Sequence, residues 1–437
     1  MSKKRRGKVF LKSFGCSSNL ADGEFMAGCL DGAGFELVDS AKNADILVYN
    51  TCAVKTPTEN RIIEILKKAQ AITDTSIVVT GCLPLVNPQR LKDEVHVNAV
   101  LGPSCGSSIV EVVHGVLRKE PLVLSKPTSE APQNLLLPRL PLNPVVSIVP
   151  VAQGCLGSCA YCCVVRARGH LRSVALEDIV KRIETDLRMG AREVWLTSQD
   201  MASYGRGISV DLVHLLREVC VLKGDYMVRV GMMTPNLTLD MLSNIIEAFQ
   251  NEHVFKFVHL PVQSGDDHVL KRMNRLYSVE GFKLAIEAFR NAIPNVTVAT
   301  DVICGFPSES HDAFDRSLRL IEEIKPDVVN ISKFFPRPNT PAEKMKSRVP
   351  QTEVSKRSRE AASLAARISF EKNREWLNWE GPVLIDELGK QPDSFVGRNF
   401  AYKPVVVKNC DPSLLGTFQK VKVTEAFQTY LEAKILD

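Results

Sequence analysis

Three cysteines in one short segment, QGCLGSCAYCC, constrain this chain more than any other feature of its sequence. Three residues separate Cys155 from Cys159, and two separate Cys159 from Cys162. Thiolates this close together do not easily enclose a four-cysteine site, but they can ligate three irons of a cubane [4Fe–4S] cluster. The fourth iron would then stay open and could bind and reduce a small molecule.

A zinc site is the main alternative for these thiols. Structural zinc ligands usually come as two separated pairs, often with histidine, and no matching pair lies nearby in the sequence. Cys163 falls outside the spacing pattern, and we interpret it as a small apolar residue rather than a ligand. The spacing therefore favours an iron–sulfur site.

The composition is that of an ordinary folded protein. A length of 437 residues predicts two to four domains, and 45% hydrophobic residues are enough for folded cores. No apolar run reaches the length of a membrane span, and no apolar segment follows the basic start MSKKRRGKVF. We therefore expect a cytoplasmic protein without a membrane partner, in which twelve cysteines point to cluster binding rather than disulfides.

Residues 1–117 predict an N-terminal α/β domain with an open parallel sheet. Three β-branched runs, KVFLKS, ADILVYN and SIVVTG, alternate with amphipathic segments. Cys16, Cys52 and Cys82 follow these strands in turn. Because ligand sites in open parallel sheets lie beyond the carboxyl ends of the strands, the three cysteines should meet at one edge. They form either a second cluster site or three buried structural cysteines, and spacing alone does not decide between these.

A proline-rich segment marks the clearest domain boundary. Seven prolines lie between residues 118 and 150. Proline at this density prevents helix formation and favours extended structure. We therefore assign residues 118–144 as a linker.

Residues 145–370 repeat a strand–helix unit, which predicts a partial (β/α)6 barrel with a closing helix over 352–379. Six β-rich runs serve as its strands: VVSIVPV, EVWLTS, YMVRVG, FKFVHLP, VTVATDVI and VVNISKF. Chemistry in such barrels takes place at the carboxyl ends of the strands. The segment with Cys155, Cys159 and Cys162 follows the first strand, as that architecture requires.

Residues 371–437 predict a small β-barrel, built from the runs VLIDELG, FAYKPVVVK, GTFQKVKVTEAF and YLEAKIL. Such barrels often bind oligonucleotides through phosphate contacts and base stacking. Basic and aromatic side chains in this region are candidates for those contacts: Arg398, Phe400, Tyr402, Lys403, Lys408, Lys420 and Lys422. Charged residues are also common on any exposed strand, so each one taken singly is a weak indication.

With Tyr161 in the aromatic position, the Cys-x3-Cys-x-aromatic-Cys pattern resembles the signature of radical S-adenosylmethionine enzymes. The resemblance implies that the open iron chelates S-adenosylmethionine and that an electron breaks its sulfonium–carbon bond to give a 5′-deoxyadenosyl radical. It also implies cofactor contacts at the strand ends of the barrel. The candidates are Tyr161, Gln199, Asp200, Gln263, Ser264 and Asp301. The alternative for each strand-end residue is an ordinary turn or cap.

The whole chain is similar to the methylthiotransferases, which combine two [4Fe–4S] clusters with a terminal RNA-binding TRAM domain. The blocks FGCSSNLADGEFMAG, NTCAVKTPTE and TGCL carry the N-terminal part of this resemblance. It implies that Cys16, Cys52 and Cys82 ligate the second cluster. The fold expected is therefore α/β, with an N-terminal open parallel-sheet domain, a central partial radical-SAM barrel and a small TRAM-like barrel.

Within this family the chain is most similar to the archaeal and eukaryotic branch that modifies N6-threonylcarbamoyladenosine in tRNA. The segments ARGHLRS, HLPVQSGDDHVLKRMNRLY and ATDVICGFPSES carry this similarity. Three positions depart from the pattern, because Ser308 and Asn339 stand where glycine is usual and Met201 stands where threonine is common.

These features predict a tRNA methylthiotransferase that uses two [4Fe–4S] clusters and S-adenosylmethionine. The expected partners are tRNA, a reductant protein such as a ferredoxin or flavodoxin, and a sulfur donor that the sequence does not identify. Two alternatives are sister enzymes that act on an aspartate of a ribosomal protein or on isopentenyladenosine in tRNA. A third is a non-catalytic iron–sulfur RNA-binding protein, which would not cleave S-adenosylmethionine.

Overall fold

The computed structural model describes residues 7–72, 75–120, 134–408 and 411–436. Within these ranges the chain forms three regions, each built around its own buried apolar side chains. No helix in these ranges is long and apolar enough to cross a membrane. Pro121, Pro127 and Pro132 of the proline-rich segment lie outside the described residues.

The first region is a parallel sheet with helices on both faces, as the sequence predicted. Its strands run in the order β2-β1-β3-β4-β5. Their bounds are β1 (Lys8–Ser13), β2 (Glu36–Leu37), β3 (Ile46–Thr51), β4 (Ser76–Gly81) and β5 (Ala99–Val100). The helices are α1 (Ser17–Gly32), α2 (Thr56–Ile72), α3 (Leu83–Val86), α4 (Pro88–Glu94) and α5 (Ser108–Leu117). Every residue of β3 is buried, because a central parallel strand has both faces covered.

The second region is a six-stranded parallel arc. It contains the groups β10-β9-β6 and β11-β12-β13, joined by a parallel bridge between Val228 and Val254. Its strands are β6 (Val146–Pro150), β9 (Glu193–Thr197), β10 (Met227–Val230), β11 (Phe257–His259), β12 (Thr297–Cys304) and β13 (Val328–Lys333), with a small ribbon of β7 (Ala152–Gln153) and β8 (Arg172–Ser173). This arrangement confirms the predicted partial (β/α)6 barrel.

Helices follow the strands of this arc, and most of them bury its outer face, whereas the short helix Val164–Arg168 packs Ala167 against the core of the first region. They are α6 (Val164–Arg168), α7 (Leu176–Arg188), α8 (Leu212–Cys220), α9 (Pro235–Leu239), α10 (Leu242–Phe249), α11 (Asp267–Arg272), α12 (Val279–Ala292), α13 (His311–Ile324) and α14 (Gln351–Arg374). The closing helix α14 ends before the predicted boundary at residue 379. In its last turn, the Asn373 side chain donates to Phe427 O at 2.7 Å, which connects the end of α14 to the terminal region.

The third region is a closed barrel of order β14-β15-β16-β18-β17, which confirms the predicted fold. Its strands are β14 (Glu380–Leu388), β15 (Ser394–Asn399), β16 (Pro404–Lys408), β17 (Phe418–Ala426) and β18 (Leu431–Ile435). The predicted strand FAYKPVVVK is wrong over residues 400–403, which form a tight turn. Asn399 Oδ1 accepts from the backbone N–H groups of Ala401 (3.1 Å) and Lys403 (2.9 Å), a turn geometry that asparagine favours.

The described end of the proline-rich segment packs against the domains that it connects. Leu135 is only 1% exposed and belongs to the core of the central barrel. The Arg139 guanidinium lies 3.2 Å from Glu24 of α1 and 3.1 Å from Asp186 of α7. Residues 134–144 therefore tie the first region to the second.

Candidate functional site

Three of the predicted ligands converge at the carboxyl edge of the N-terminal sheet: Cys16, Cys52 and Cys82. A Cβ built on Gly15 would lie 2.9 Å from the Sγ of Cys52. Cys82 donates from its backbone N–H to Thr51 O at 2.8 Å. Its thiol also contacts Asn19 Oδ1 at 3.9 Å, one turn of α1 beyond Cys16. The strand ends thus bring together cysteines that are distant in sequence.

Glycines permit this convergence. Gly15 and Gly81 directly precede Cys16 and Cys82, with φ of +108° and +92°. A Cβ on Gly81 would lie 2.3 Å from Thr51 O, so a side chain has no room there. The left-handed conformation lets the chain turn immediately after each strand, and glycine adopts it without steric cost.

Two of these thiols are enclosed and one is exposed. Cys52 and Cys82 are each 6% exposed, whereas Cys16 begins α1 at the surface. Burial raises the pKa of Cys52 and raises the pKa of Cys82 to about 12. These two cysteines are thiols in the free protein, and they would release protons on binding a metal, because the thiolate is the ligand.

A buried arginine from the central barrel reaches this edge. Arg168, at the end of α6, is 4% exposed. Its Nη2 donates to Asn19 Oδ1 and to Asp22 Oδ2, both at 2.7 Å. Burial lowers the pKa of Arg168, but the Asp22 carboxylate and the nearby Cys82 outweigh this effect, so the pKa is raised. A permanent cation therefore lies next to the N-terminal cysteines.

The other predicted triad lies in the loop between β7 and α6: Cys155, Cys159 and Cys162. Each sulfur accepts a hydrogen bond from a nitrogen, as a cluster thiolate does. The bonds are Gly157 N to Cys155 at 3.1 Å, Arg275 Nη1 to Cys159 at 3.0 Å, and Val164 N to Cys162 at 3.4 Å. Burial raises the pKa of Cys155 and of Cys162.

Backbone hydrogen bonds clamp this loop onto the barrel. Ala160 donates from its N–H to Met273 O at 2.9 Å and accepts from Ala342 N at 2.8 Å. Asn274 Nδ2 donates to Ser158 O at 2.9 Å. The loop is therefore held by connections that follow α11 and β13.

Neither triad has the arrangement of a single-ion centre. Among the residues that the structure describes, no group of three or more His, Cys, Asp or Glu side chains is placed to hold one metal ion. A cubane cluster inserts several irons and sulfides between its ligands, so its thiolates stand further apart than those around one ion. Three soft thiol donors at each site fit such a cluster, since thiolates select iron–sulfur clusters over hard cations.

Arg275 offers a second feature that fits a bound group. Its Nε donates to the Tyr277 hydroxyl at 2.9 Å, while Nη2 is buried and has no hydrogen-bond partner among the described residues. That unpaired N–H belongs to the guanidinium that contacts Cys159. An unpaired buried donor is costly, so a sulfide or a cofactor oxygen at this point would satisfy it. Tyr161 lies nearby, edge-on to Phe306 at a centroid distance of 6.4 Å.

Gln199 lies between the two triads. Its Oε1 accepts from the N–H of Gly154, just before Cys155, at 2.6 Å. Its Nε2 donates to Ser18 Oγ, close to Cys16 in sequence, at 3.3 Å. The carboxyl end of β9 therefore contacts both cysteine-bearing segments.

Two predicted cofactor contacts, Asp200 and Ser264, are engaged within the protein. The Asp200 carboxylate accepts from Thr234 Oγ1 at 2.6 Å and from Thr234 N at 2.9 Å. Burial raises the pKa of Asp200. Ser264 is fully buried, and its Oγ accepts from Asp266 N at 3.3 Å. In this geometry both residues shape turns at the strand ends.

Asp301 is the more accessible candidate and lies inside the barrel at β12. Its Oδ1 lies 3.0 Å from His259 Nε2 and accepts from Asn330 Nδ2 at 2.7 Å. Burial raises the pKa of Asp301, but the hydrogen bond to His259 outweighs this effect and lowers the pKa. Asp301 is therefore a carboxylate at neutral pH. Gln263 lies beside it, with its N–H donating to Asp301 O at 2.7 Å and a left-handed φ of +69°.

Three family profiles match the chain in the order of its three regions. Residues 8–102 match the family described as "Uncharacterized protein family UPF0004". Residues 149–321 match the radical SAM superfamily, and residues 380–436 match the TRAM domain. Together with the barrel and its cysteine loop, these matches define the chain as a radical S-adenosylmethionine enzyme with a terminal TRAM domain.

Curated relatives identify the family. A probable threonylcarbamoyladenosine tRNA methylthiotransferase of Pyrococcus horikoshii is 39% identical, and the match covers 98% of this chain and 99% of the relative. The human threonylcarbamoyladenosine tRNA methylthiotransferase is 32% identical over 98% of this chain and 74% of its own length. The chain belongs to the threonylcarbamoyladenosine tRNA methylthiotransferase family, which confirms the predicted family and enzyme class.

Solved structures support the fold. The radical S-adenosylmethionine methyltransferase TsrM of Kitasatospora setae has a TM-score of 0.57 at 13% identity, covering 77% of this chain and 74% of its own. The cobalamin-dependent S-adenosylmethionine radical enzyme OxsB has a TM-score of 0.53 at 11% identity, covering 82% and 56%. At these identities the likeness concerns the fold alone.

Sequence patterns did not predict a role for Arg168 or Arg275, although both lie in segments that carry the family resemblance. Arginine is usually exposed, and nothing in the spacing of these two marks them as buried partners of cysteine. The departures at Ser308 and Asn339 have a structural counterpart. Both residues adopt left-handed φ values, +71° and +63°, in which glycine is more usual.

Proposed function

We propose that this chain transfers a methylthio group to the adenine of N6-threonylcarbamoyladenosine next to the anticodon of tRNA. The observation that best supports the proposal is that the chain segments of the two cysteine triads approach each other across one interface. Ser17 Oγ, next to Cys16, lies 2.6 Å from Thr197 Oγ1 at the end of β9. Gln199, two residues further on, contacts the segments that hold Cys16 and Cys155. A radical site and a sulfur site must be close if one product needs both.

Cys155, Cys159 and Cys162 would hold the [4Fe–4S] cluster that binds S-adenosylmethionine. When bound, this cluster supplies the electron that breaks the sulfonium–carbon bond of S-adenosylmethionine. Radical chemistry suits the target, because C2 of adenine has neither an acidic proton nor a leaving group. Arg275 would stabilise the Cys159 thiolate through the bond at 3.0 Å. Tyr161 would cover the site from the loop itself.

The remaining cofactor contacts would come from the strand ends. Gln263 and Asp301 line the barrel interior, where a carboxylate can bind ribose hydroxyls or the ammonium of S-adenosylmethionine. Gln199 would position the loop through Gly154. Asp200 and Ser264 would act indirectly, by holding the turns in which these side chains are set.

Cys16, Cys52 and Cys82 would hold the second [4Fe–4S] cluster, which carries the sulfur to be transferred. The exposed Cys16 corner would admit a sulfur donor, whereas Cys52 and Cys82 are enclosed. We assign residues 1–117 to this domain, 118–144 to the linker, 145–370 to the radical barrel and 371–437 to the TRAM-like domain. That last domain would hold tRNA through exposed basic groups such as Lys420. In the cytoplasm, a ferredoxin or flavodoxin would supply electrons.

Nucleoside mass spectrometry of tRNA tests the proposal. The chain is expressed in a host lacking its own enzyme, and we expect the 2-methylthio form of threonylcarbamoyladenosine to appear. A Cys159→Ala variant should lose both this product and S-adenosylmethionine cleavage. A Cys82→Ala variant should lose the product but still cleave S-adenosylmethionine.

The same two measurements on the wild type separate the alternatives. Unmodified threonylcarbamoyladenosine together with active cleavage by the wild type would contradict the substrate, and a ribosomal protein aspartate or isopentenyladenosine would be tried next. Absence of cleavage after anaerobic reconstitution would contradict the radical chemistry itself.

A further inference from the structure

We propose that Arg168 is a positioning residue for the N-terminal triad: it places a buried positive charge beside the cluster of Cys16, Cys52 and Cys82, and thereby raises that cluster's reduction potential and its retention of iron. The inference rests on the proposed function, because it presupposes the second cluster. Arg168 follows the cysteine loop of the radical barrel in the sequence, but its side chain lies at the N-terminal triad.

The route of the chain explains how Arg168 arrives there. Helix α6 begins two residues after Cys162 and ends at Arg168. Gly169 then reverses the chain with a φ of +76°, and its N–H donates to Val165 O at 2.7 Å. The Arg168 carbonyl accepts from Arg172 Nη2 at 3.1 Å. The segment that follows the triad of the radical barrel therefore places the Arg168 guanidinium beside the N-terminal triad.

The guanidinium is bound to atoms that organise the strand ends. Asn19 accepts from Arg168 through Oδ1 at 2.7 Å, and its Nδ2 donates to Phe14 O at 2.8 Å and to Thr51 O at 2.9 Å. Those two carbonyls lie next to the ends of β1 and β3. The same Asn19 Oδ1 lies 3.9 Å from the Cys82 sulfur. Arg168 thus contacts Asn19, the side chain that connects the strand ends from which the N-terminal cysteines extend.

A second partner, Asp22, makes the charge argument testable. Its Oδ2 accepts from Arg168 at 2.7 Å, and its Oδ1 accepts from Ser104 Oγ at 2.9 Å. Arg168 and Asp22 are opposite charges that share one salt bridge, so removal of either breaks the same contact. Their effects on a neighbouring cluster must nevertheless have opposite signs, because cluster potentials depend on nearby charge.

The need for a cation follows from the ligands. A cluster held by three thiolates is anionic when reduced, and a buried negative charge is unfavourable unless a positive group is close. Cys52 and Cys82 are enclosed, so water can compensate the charge only on the side of the exposed Cys16. Outer residues that bond to metal ligands tune both potential and affinity.

The test uses the full chain in which Cys155, Cys159 and Cys162 are replaced by alanine, so that only the N-terminal site can give a signal. After anaerobic reconstitution with iron and sulfide, the midpoint potential is measured by redox titration with electron paramagnetic resonance. Iron release to a chelator is followed in parallel. The variants are Arg168→Gln, Arg168→Lys, Asp22→Asn and the double variant Arg168→Gln/Asp22→Asn.

We expect Arg168→Gln to lower the midpoint and to release iron several-fold faster. Asp22→Asn should raise the midpoint although it breaks the same salt bridge. Arg168→Lys, which keeps the charge, should stay close to the parent, and the double variant should lie between the single ones. If Arg168→Gln does not fold, the Lys, Asp22→Asn and double variants decide the question.

Arg337→Gln is the matched control. Arg337 is a second buried arginine that joins the barrel to the N-terminal domain, through Glu59 and through Thr56 Oγ1 at 3.0 Å. Its loss should weaken domain docking but leave the guanidinium of Arg168 beside Asn19, so the midpoint of the folded variant should stay unchanged. Midpoints that move in the same direction in Arg168→Gln and Asp22→Asn, or that do not move, would overturn the inference while leaving the proposed function intact. A parent without any cluster signal would instead refute the second cluster itself.

Discussion

Arg275 Nη1 lies 3.0 Å from the Sγ of Cys159, which joins the connection after α11 to the middle cysteine of the loop. The arginine is held from behind, because its Nε donates to the Tyr277 hydroxyl at 2.9 Å. That hydroxyl in turn donates to Pro261 O at 2.9 Å, next to the end of β11. A chain of contacts therefore runs from the barrel wall to one predicted iron ligand.

Replacing Arg275 should weaken the radical site selectively. A hydrogen bond to a charged group contributes about 1.5–3 kcal/mol, so we expect Arg275→Gln to form 5′-deoxyadenosine roughly 10- to 100-fold more slowly. Arg275→Lys should be intermediate, because it keeps the charge and loses the bond to Tyr277. Lys271→Gln, at an exposed position of α11, is the control. If Arg275→Gln cleaved S-adenosylmethionine at the wild-type rate, the hydrogen bond between Arg275 and Cys159 would have no role in the reaction.

The Arg337–Glu59 pair should stabilise the docking of the first two domains. Both side chains are at least 95% buried, and Glu59 also accepts from Arg90 Nη1 at 2.9 Å. Breaking a buried pair costs about 3–5 kcal/mol, and Arg337→Gln should lie near the low end because Arg90 remains. Thermal unfolding monitors this loss, with Arg348→Gln, an exposed arginine of the same domain, as the control. An unchanged melting temperature would contradict the prediction.

Lys403 should act as a domain anchor and not as an RNA contact. It is 4% exposed, and its Nζ donates to Asp327 Oδ1 at 2.7 Å and to Asn373 Oδ1 at 3.0 Å. The phosphate contact suggested by the sequence requires an accessible ammonium, which this burial prevents. We expect Lys403→Gln to lower the melting temperature, because it leaves the Asp327 carboxylate buried without its cation. A variant with normal stability and weakened tRNA binding would reverse this assignment.

Lys420 should behave in the opposite way, because it is exposed on β17. Lys420→Gln should leave the melting temperature unchanged and weaken tRNA binding. If Lys420 contacts one phosphate, the slope of log K against log salt should decrease by about 1. Binding titrations at several salt concentrations measure this slope. An unaltered slope would remove Lys420 from the RNA-binding surface.

Asp386 should make stability depend on pH. Burial and the adjacent Glu193 carboxylate raise the pKa of Asp386 to about 8, despite Arg398 at 3.2 Å. An unfolded aspartate titrates near pH 4, so the folded state binds the extra proton between these values. The stabilisation is complete below about pH 4 and is lost as pH rises through about 8.

Melting curves of the wild type at pH 6 and pH 9 test this dependence. We expect the wild type to lose about 2 °C or more over this interval, relative to Asp386→Asn, which stays neutral. Parallel curves for the two proteins at every pH would show that Asp386 is ionised in the folded protein.

Local sequence patterns predicted what depends on local structure. The alternation of strands and helices predicted that Cys16, Cys52 and Cys82 lie at one edge of the sheet, which is where the structure places them. The turn after β15 was missed, because it depends on Asn399 bonding to its own following backbone within an otherwise strand-like run. The burial of the basic residues Arg168 and Lys403 was not predicted, for a different reason. Whether Arg168 or Lys403 faces solvent is decided by how domains dock, and periodicity contains no information about that.

The placement of Arg168 also has a consequence for biosynthesis. Chains emerge from the ribosome N-terminus first, and domains generally fold as they appear. The sheet that presents Cys16, Cys52 and Cys82 is therefore complete while α6 is still untranslated. Until the barrel docks, these cysteines lack the guanidinium of Arg168, which reaches Asn19 and Asp22 only in the assembled structure. The N-terminal triad therefore exists as a set of thiols before it has its buried counter-charge, and the two are brought together only when the second domain folds onto the first.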